Sequence, residues 1–451
     1  MRHSHHGCRH APDRAARPLN HHRLAGSASW HPARLLGAPH RLLFAVGAVG
    51  WVGIALWWAV ASVLTLLSHA PPWAVAPAGA HALVLALGFM PAFIAGFLFT
   101  AGPKWLALPP VAVRPLRGPA ALWLAGWALA LPGLHLDARA AAAGTTLAAL
   151  GWTGLCVQQQ QLLWASRVPA PERLHARAIG WALWWIAAAL AAAALALAAG
   201  PDPQALRAAA RLGLWGVASV FITAAHRLTP FLHPAWLHRL PGGLLGPLQA
   251  GLALRAAADV AALGLGPAWP AAAHLGAAAG QAGLAAATLA AAFDPALRAA
   301  RRTAFVRMLH VAVVWLAASC ALQALTHGTA AGGQPGGWGD IALAALHAAT
   351  LGFMLTTLLA MASRVTATQQ GRAVAVDRPL RWLFRLLQAT ALARLAASLW
   401  PGAPAWLLPG AAVSLALIAV AWMVHPGRLL AAAPRTPGSL NRVKEKDPLH
   451  P

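Results

Sequence analysis

The sequence predicts an all-α polytopic membrane protein: a bundle of about twelve transmembrane helices with both termini in the cytoplasm. Three observations carry that prediction. Of 451 residues, 59% are hydrophobic and only 10% charged, where soluble domains average about 25% charged. The apolar residues fall into repeated runs close to the roughly 20 residues a helix needs to cross a hydrocarbon core. The 34 Lys and Arg residues favour every second connection between those runs.

The runs lie near 41–67, 80–101, 118–135, 140–164, 176–199, 207–225, 247–265, 269–292, 304–326, 340–361, 380–400 and 404–425. Each reads as a helix, because lipid satisfies no free backbone N–H or C=O. None shows the short alternating segments of an outer-membrane barrel. Residues 1–40 read as a basic, His-rich, disordered cytoplasmic tail, since no apolar stretch precedes residue 41. Its His3, His5, His6, Cys8 and His10 could chelate a metal, although a fortuitous cluster is the plainer reading. Residues 41–425 make up the membrane domain and 426–451 a second basic cytoplasmic tail.

The orientation follows from charge. The alternate connections, counted from the N-terminus, hold all Lys and Arg except Arg139, Arg207, Arg211, Arg255 and Arg394. Cytoplasmic loops concentrate such residues, so these connections face inward. The outward connections, such as HAPPWAVAPAG (69–79), are short and rich in small residues. The net charge of +24 is therefore loop charge rather than a basic face, and no nucleic-acid motif accompanies it.

Several chemistries are disfavoured. Cys8, Cys156 and Cys320 are an odd, scattered set rather than a disulfide framework, and the last two read as small buried hydrophobes. Tyrosine is absent. No nucleophile elbow, phosphate-binding glycine loop or zinc-protease helix is found. Hydrolysis and phosphoryl transfer are disfavoured, and whether the protein is an enzyme stays open.

Ionisable groups at membrane depth are costly and usually functional. Asp259 follows Arg255 by four residues, which puts both on one helix face. They form either a self-neutralised pair or half of a substrate or proton path. Arg394 has no acidic neighbour in sequence, so it faces a carboxylate of another helix or an acidic group of a cofactor. Of the histidines in or at runs, four stand in suggestive contexts: His81 opening the second, His226 ending the sixth, His310 early in the ninth and His347 within the tenth. Neutral imidazole is the commonest metal and haem ligand. A lone membrane histidine is more often a packing hydrogen-bonder, but four in one bundle favour ligation. The orientation puts His81 and His347 in the outer half, and His226 and His310 in the inner half. Two pairs at two depths would suit two cofactor sites.

The second and tenth runs share the string Leu-Gly-Phe-Met, at 87–90 and 351–354, each after a histidine but at unequal spacing. In the second run Gly88, Ala92 and Gly96 make a small-residue stripe for a partner helix or a cofactor edge.

The run His81…Gly88-Phe89…Ile94-Ala95-Gly96-Phe97-Leu98…Thr100-Ala101…Pro103…Trp105 resembles the second span of the NnrS family. Those are bacterial inner-membrane proteins of twelve spans, linked to the nitric oxide response and containing haem and copper. Other stretches agree in order: APHRLLF (38–44), HRLTPF (226–231), Leu309-His310-Val311 with Trp315, and LHAATLGFMLTTLLAMASRV (346–365) followed by Gly371-Arg372. The resemblance spans residues 38 to about 425 and implies a multi-pass protein of the bacterial inner membrane that holds haem b and responds to nitric oxide or nitrosative stress. It implies His81, His310 and His347 as metal ligands, with His226 as a further cofactor contact. It gives Arg227, Arg364 and Arg394 as partners for haem propionates, against a plain role as loop or packing charge. Many relatives open the second span with His-x-His-Glu, where this chain has His81-Ala82-Leu83-Val84. Copper is correspondingly doubtful. The expected partners are the lipid bilayer and nitric oxide, with no nucleic acid. The alternative reading is a transporter for a metal, haem or small solute, with the histidines lining its path. A haem–copper oxidase subunit is a third, disfavoured by the lack of an adjacent His-His pair within a span and of tyrosine.

Overall fold

The computed structural model describes residues 31–200, 202–232, 245–265, 271–293, 303–332, 340–371 and 376–432. They form helices α1 (Pro39–Leu66), α2 (Pro77–Leu87), α3 (Met90–Trp105), α4 (Arg114–Leu136), α5 (Ala138–Ala165), α6 (Leu174–Ala199) and α7 (Pro203–Leu232). These are followed by α8 (Leu245–Leu265), α9 (Ala271–Ala292), α10 (Ala304–Ala331), α11 (Ile341–His347), α12 (Thr356–Thr368), α13 (Arg378–Leu399) and α14 (Leu407–Val424). Helices α2 and α3 lie end to end, and a π-helix, Ala348–Leu355, joins α11 to α12. Counted as continuous units, the helices coincide with the twelve apolar runs. Nine units among the described residues are long and apolar enough to cross a membrane, and α8, α9 and α13 are not among them. No strand occurs among the described residues. The chain is an all-α polytopic membrane protein.

Local sequence sets the helix starts. Proline opens α1, α2, α3, α4 and α13, where its fixed φ suits the first turn and no N–H is lost. The scarce acids are used as caps. Asp137 Oδ1 accepts from Arg139 N at 3.0 Å, Asp202 Oδ1 from Gln204 N at 2.9 Å, Asp340 Oδ1 from Leu343 N at 2.8 Å and Asp377 Oδ1 from Leu380 N at 3.1 Å.

Small residues set the packing, because lipid supplies little hydrophobic force between helices. In the α4–α5 hairpin Gly126 and Gly144 meet backbone to backbone. A Cβ on Gly144 would lie 2.6 Å from Gly126 O, and one on Gly126 would lie 2.6 Å from Gly144 O. The stripe of Gly88 and Gly96 packs on α1: a Cβ on Gly96 would lie 2.5 Å from Phe44 Cδ1. The partner-helix reading holds there. Trp51, Phe89, Phe93 and Trp422 knit α1, α3 and α14 together, with Trp51 stacked on Phe89 at 5.7 Å and Phe93 edge-on to Trp422 at 5.3 Å.

Both Leu-Gly-Phe-Met strings fall where a helix departs from α geometry. At 87–90 the helix breaks between α2 and α3, and Phe89 takes φ −137° and ψ −37°. Pro91, with no N–H, cannot close an intrahelical bond to Leu87 O. At 351–354 the string lies inside the π-helix.

The first and last described segments meet at one end of the bundle. A 3-10 turn, Pro32–Gly37, packs against another at Gly427–Ala431. His31 N donates to Ala431 O at 3.1 Å, Arg41 Nη1 to Ala432 O at 3.3 Å and Gln370 Nε2 to Leu429 O at 2.8 Å. The folded part thus begins before residue 40, while 1–30 and 433–451, with the histidine cluster, lie outside the described residues. Nearby, His425 Nε2 and Asp377 Oδ2 are 2.7 Å apart. Partial burial pushes the Asp377 carboxyl up, but the hydrogen bonds from His425 and Leu380 and the charges of His425 and Arg381 outweigh it. The net effect holds the carboxyl below its ordinary range.

Arg255 is 1% exposed. Its guanidinium lies 4.0 Å over the Trp215 ring, and Nη2 donates to Ser319 Oγ at 3.2 Å. The Asp259 side chain lies outside the described residues. Cys156 and Cys320 are buried and free.

Candidate functional site

A cavity of about 1030 Å³ opens in the half of the bundle away from the clasped segments 32–37 and 427–431. Its walls come from the C-terminal half of α1, α2, the first turns of α7, α11 with the π-helix, the end of α13 and the start of α14. It is the half that the charge rule expects to face outward. Most of the lining is apolar, and the polar groups are few and specific.

His81 projects from the second turn of α2. Its ring packs on Trp58 with centroids 4.2 Å apart, and its Nδ1 is buried without a hydrogen-bond partner. His347 is the last residue of α11. Its Nδ1 sits 2.8 Å from Leu343 O. A carbonyl only accepts, so Nδ1 carries the proton and Nε2 keeps its lone pair. The two imidazoles face one another with centroids 6.4 Å apart and planes 25° apart. Helices far apart in sequence thus bring together the pair expected at the outer depth.

The π-helix begins immediately after His347, and such segments frequently occur at functional sites. It is held by α10 and α13. Trp315 lies against Gly352, where a Cβ would be 2.5 Å from its Cγ. Trp315 Nε1 donates to Gln388 Oε1 at 2.7 Å, and Gln388 Nε2 donates to Thr356 Oγ1 at 3.0 Å. This brace fixes the register of the segment that carries His347.

The remaining expected residues are dispersed. Arg394 borders the cavity from α13 and donates from Nη1 to Ser398 Oγ at 2.8 Å. His310 lies on α10 beside Phe293, ring centroids 5.4 Å apart and planes at 89°, and does not border the cavity. Arg364 is on α12 with its guanidinium 4.9 Å from the Phe305 ring centroid, also away from the cavity. The side chain of His226 and all of Arg372 lie outside the described residues, so the inner histidine pair is not seen. Among the described residues no three His, Cys, Asp or Glu side chains come together.

Two lining residues escaped the sequence reading: Arg207 and Arg211 on α7. The signal was present, because with Arg139 they are the only basic residues on outward connections. They stood as exceptions to a loop rule when they could have been read as side chains retained for a site.

A helical membrane bundle whose cavity brings two imidazoles and a set of guanidiniums to its wall defines a class: polytopic membrane proteins with a histidine-bearing cavity. The chain belongs to the NnrS family, whose model, described as NnrS protein, matches residues 34–433. A search of curated proteins finds no match.

Proposed function

We propose that this is a haem-binding protein of the bacterial inner membrane, with both termini in the cytoplasm, acting in the response to nitric oxide or nitrosative stress. His81 and His347 are its imidazole ligands. The observation that carries the reading is the poise of those two rings. The Nδ1–H of His347 is committed to a backbone carbonyl, the arrangement that orients metal-bound histidines, and buried Nδ1 of His81 has no protein partner.

The residues present fit the group. Haem iron needs only one or two protein ligands, which suits a two-histidine site. The cavity volume is at the upper end of the range, roughly 300–1,000 Å³, of small-molecule sites. Haem would supply an iron centre able to bind nitric oxide. The chain holds the imidazoles in register through Leu343 and the Trp315–Gln388 brace, surrounds the ligand with apolar wall, and offers guanidiniums to its acidic groups. Copper has weaker support, since His81 and His347 lack a third described ligand.

The test is a visible spectrum of protein purified in mild detergent, oxidised and reduced, with metal analysis on the same sample. A Soret band at near-stoichiometric haem, lost in His81→Ala and in His347→Ala while both variants stay monodisperse, is expected. Colourless, well-folded protein after haem-replete expression would overturn the reading. The size of the cavity favours a second one, carriage of a small solute. Substrate accumulation in vesicles without stoichiometric haem would establish it.

A further inference from the structure

We infer that Arg207 and Arg211 of α7, with Arg394 of α13, form a carboxylate-receiving site on the cavity wall, so that the cavity takes a ligand with an apolar body and acidic groups. The inference rests on the ligand-binding reading of this cavity and narrows what the ligand can be.

The first argument is cost. Arg207 and Arg211 are four residues apart, which stacks two like charges on one helix face, an arrangement that destabilises a helix. They are half-buried, and they stand on the side of the membrane where basic residues are otherwise scarce. The second argument is unspent donors. A guanidinium carries five N–H groups. Arg207 uses Nε on Pro203 O at 3.2 Å, and Arg394 uses Nη1 on Ser398 Oγ. Arg211 has no hydrogen bond or ion pair among the described residues. The third is the balance of charge. Asp340 is the one carboxylate on the cavity wall among the described residues, and its Oδ1 is occupied by the cap of α11. Three guanidiniums therefore face a single, partly committed acid. Forked guanidiniums match carboxylate oxygens bidentately.

The rest of the wall sets the other half of the specificity. Leu85, Phe89, Leu351 and Leu415 offer no polar atom that a fully polar anion would need, and Trp58 offers a single indole N–H. A free inorganic anion would leave that surface unfilled, and a neutral apolar ligand would leave the guanidiniums unmatched. A carboxylate on an apolar body satisfies both, whether that body is a porphyrin or an acyl chain.

The experiment uses the full-length protein in mild detergent, with iron-free protoporphyrin as a diacid probe, its dimethyl ester, and palmitate as competitor, read by equilibrium binding. The diacid is expected to bind at least about tenfold more tightly than the diester, given the strength of charge-assisted hydrogen bonds. Arg207→Gln and Arg211→Gln should each weaken the diacid by about tenfold, leave the diester unchanged, and so report a retained fold. Arg211→Lys should recover part of the loss. Equal binding of diacid and diester, or a double Gln variant with unaltered diacid affinity, would overturn the inference. If haem still gave a Soret band dependent on His81 in that double variant, the haem reading would stand without it. Arginine-dependent binding of palmitate but of neither porphyrin would keep the carboxylate site and remove the haem reading beneath it.

Discussion

Gly352→Ala tests whether the register of the π-helix is what positions His347. The added Cβ would sit 2.5 Å from Trp315 Cγ and 2.8 Å from Trp315 Cβ, where carbon pairs rest at about 3.5–4.0 Å. The misfit is about 1 Å. Trp315 is not free to yield, since Nε1 is bonded to Gln388, which is bonded to Thr356. Either the indole moves and strands the Gln388 amide, or the π-helix moves and takes His347 with it. Overpacking costs about 1–3 kcal/mol, and a stranded, half-buried amide adds about 1 kcal/mol or less, so a loss of roughly 2 kcal/mol is expected. At a few degrees per kcal/mol for a chain of this order, that is a fall of several degrees in melting temperature. The assay is thermal unfolding of purified protein in detergent, with haem occupancy measured alongside. Gly276→Ala, at an α9 position with nothing within 4 Å, is the control and should be neutral or gain up to about 1 kcal/mol. Adding Trp315→Leu to Gly352→Ala should restore part of the loss, a coupling of about 1 kcal/mol or more. If Gly352→Ala melts with the wild type, or if the second substitution restores nothing, the brace does not set the register.

Gly144→Ala should separate α4 from α5, because its Cβ would meet backbone, Gly126 O at 2.6 Å, which cannot rotate aside. A loss of about 1–3 kcal/mol in the same melt is expected, with haem occupancy at the cavity unchanged because the hairpin does not border it. Asp377→Asn keeps a cap on α13 but removes the charge facing His425. The folded carboxyl is held below its ordinary range, so its charge stabilises the fold above the unfolded carboxylate pKa, and that contribution is lost as pH falls through the lowered folded value. With 47% of the Asp377 side chain exposed, screening limits the difference to at most about 1 kcal/mol at neutral pH. Melts of both proteins should converge on acidification, and a gap that widened would refute the assignment.

The bundle was legible because its cause is one-dimensional. Apolar runs of membrane length and alternating Arg-rich connections need no tertiary knowledge, and the helical units coincide with them. That His81 and His347 share a depth was legible for a similar reason, since depth follows from position within a run and from orientation, but the approach of their rings was not. What depended on three-dimensional contact was not. The π-helix at Ala348–Leu355 arises where a helix accommodates neighbours, and nothing in its hydropathy marks it, whereas the break at Gly88 has a local cause in Pro91 that a reading of hydropathy passes over. Arg364 and His310 share residue type with the cavity's Arg394 and His347, but their neighbours are Phe305 and Phe293, which only packing reveals. Arg207 and Arg211 fell between the two cases. The charge rule singled them out, and the first turns of α7 had to be seen against the cavity before that exception acquired a meaning.

The cavity is built from opposite ends of the message. Its walls on α1 and α2 are synthesised first, and those on α13 and α14 last. At typical elongation rates about half a minute separates His81 from the wall of α14. While the ribosome is still at work, His81 has neither its facing imidazole nor an enclosing wall. On the proposed reading, a cofactor shared with His347 finds its complete site only in a finished chain, and a transcript cut short of α14 leaves a polypeptide with half a socket.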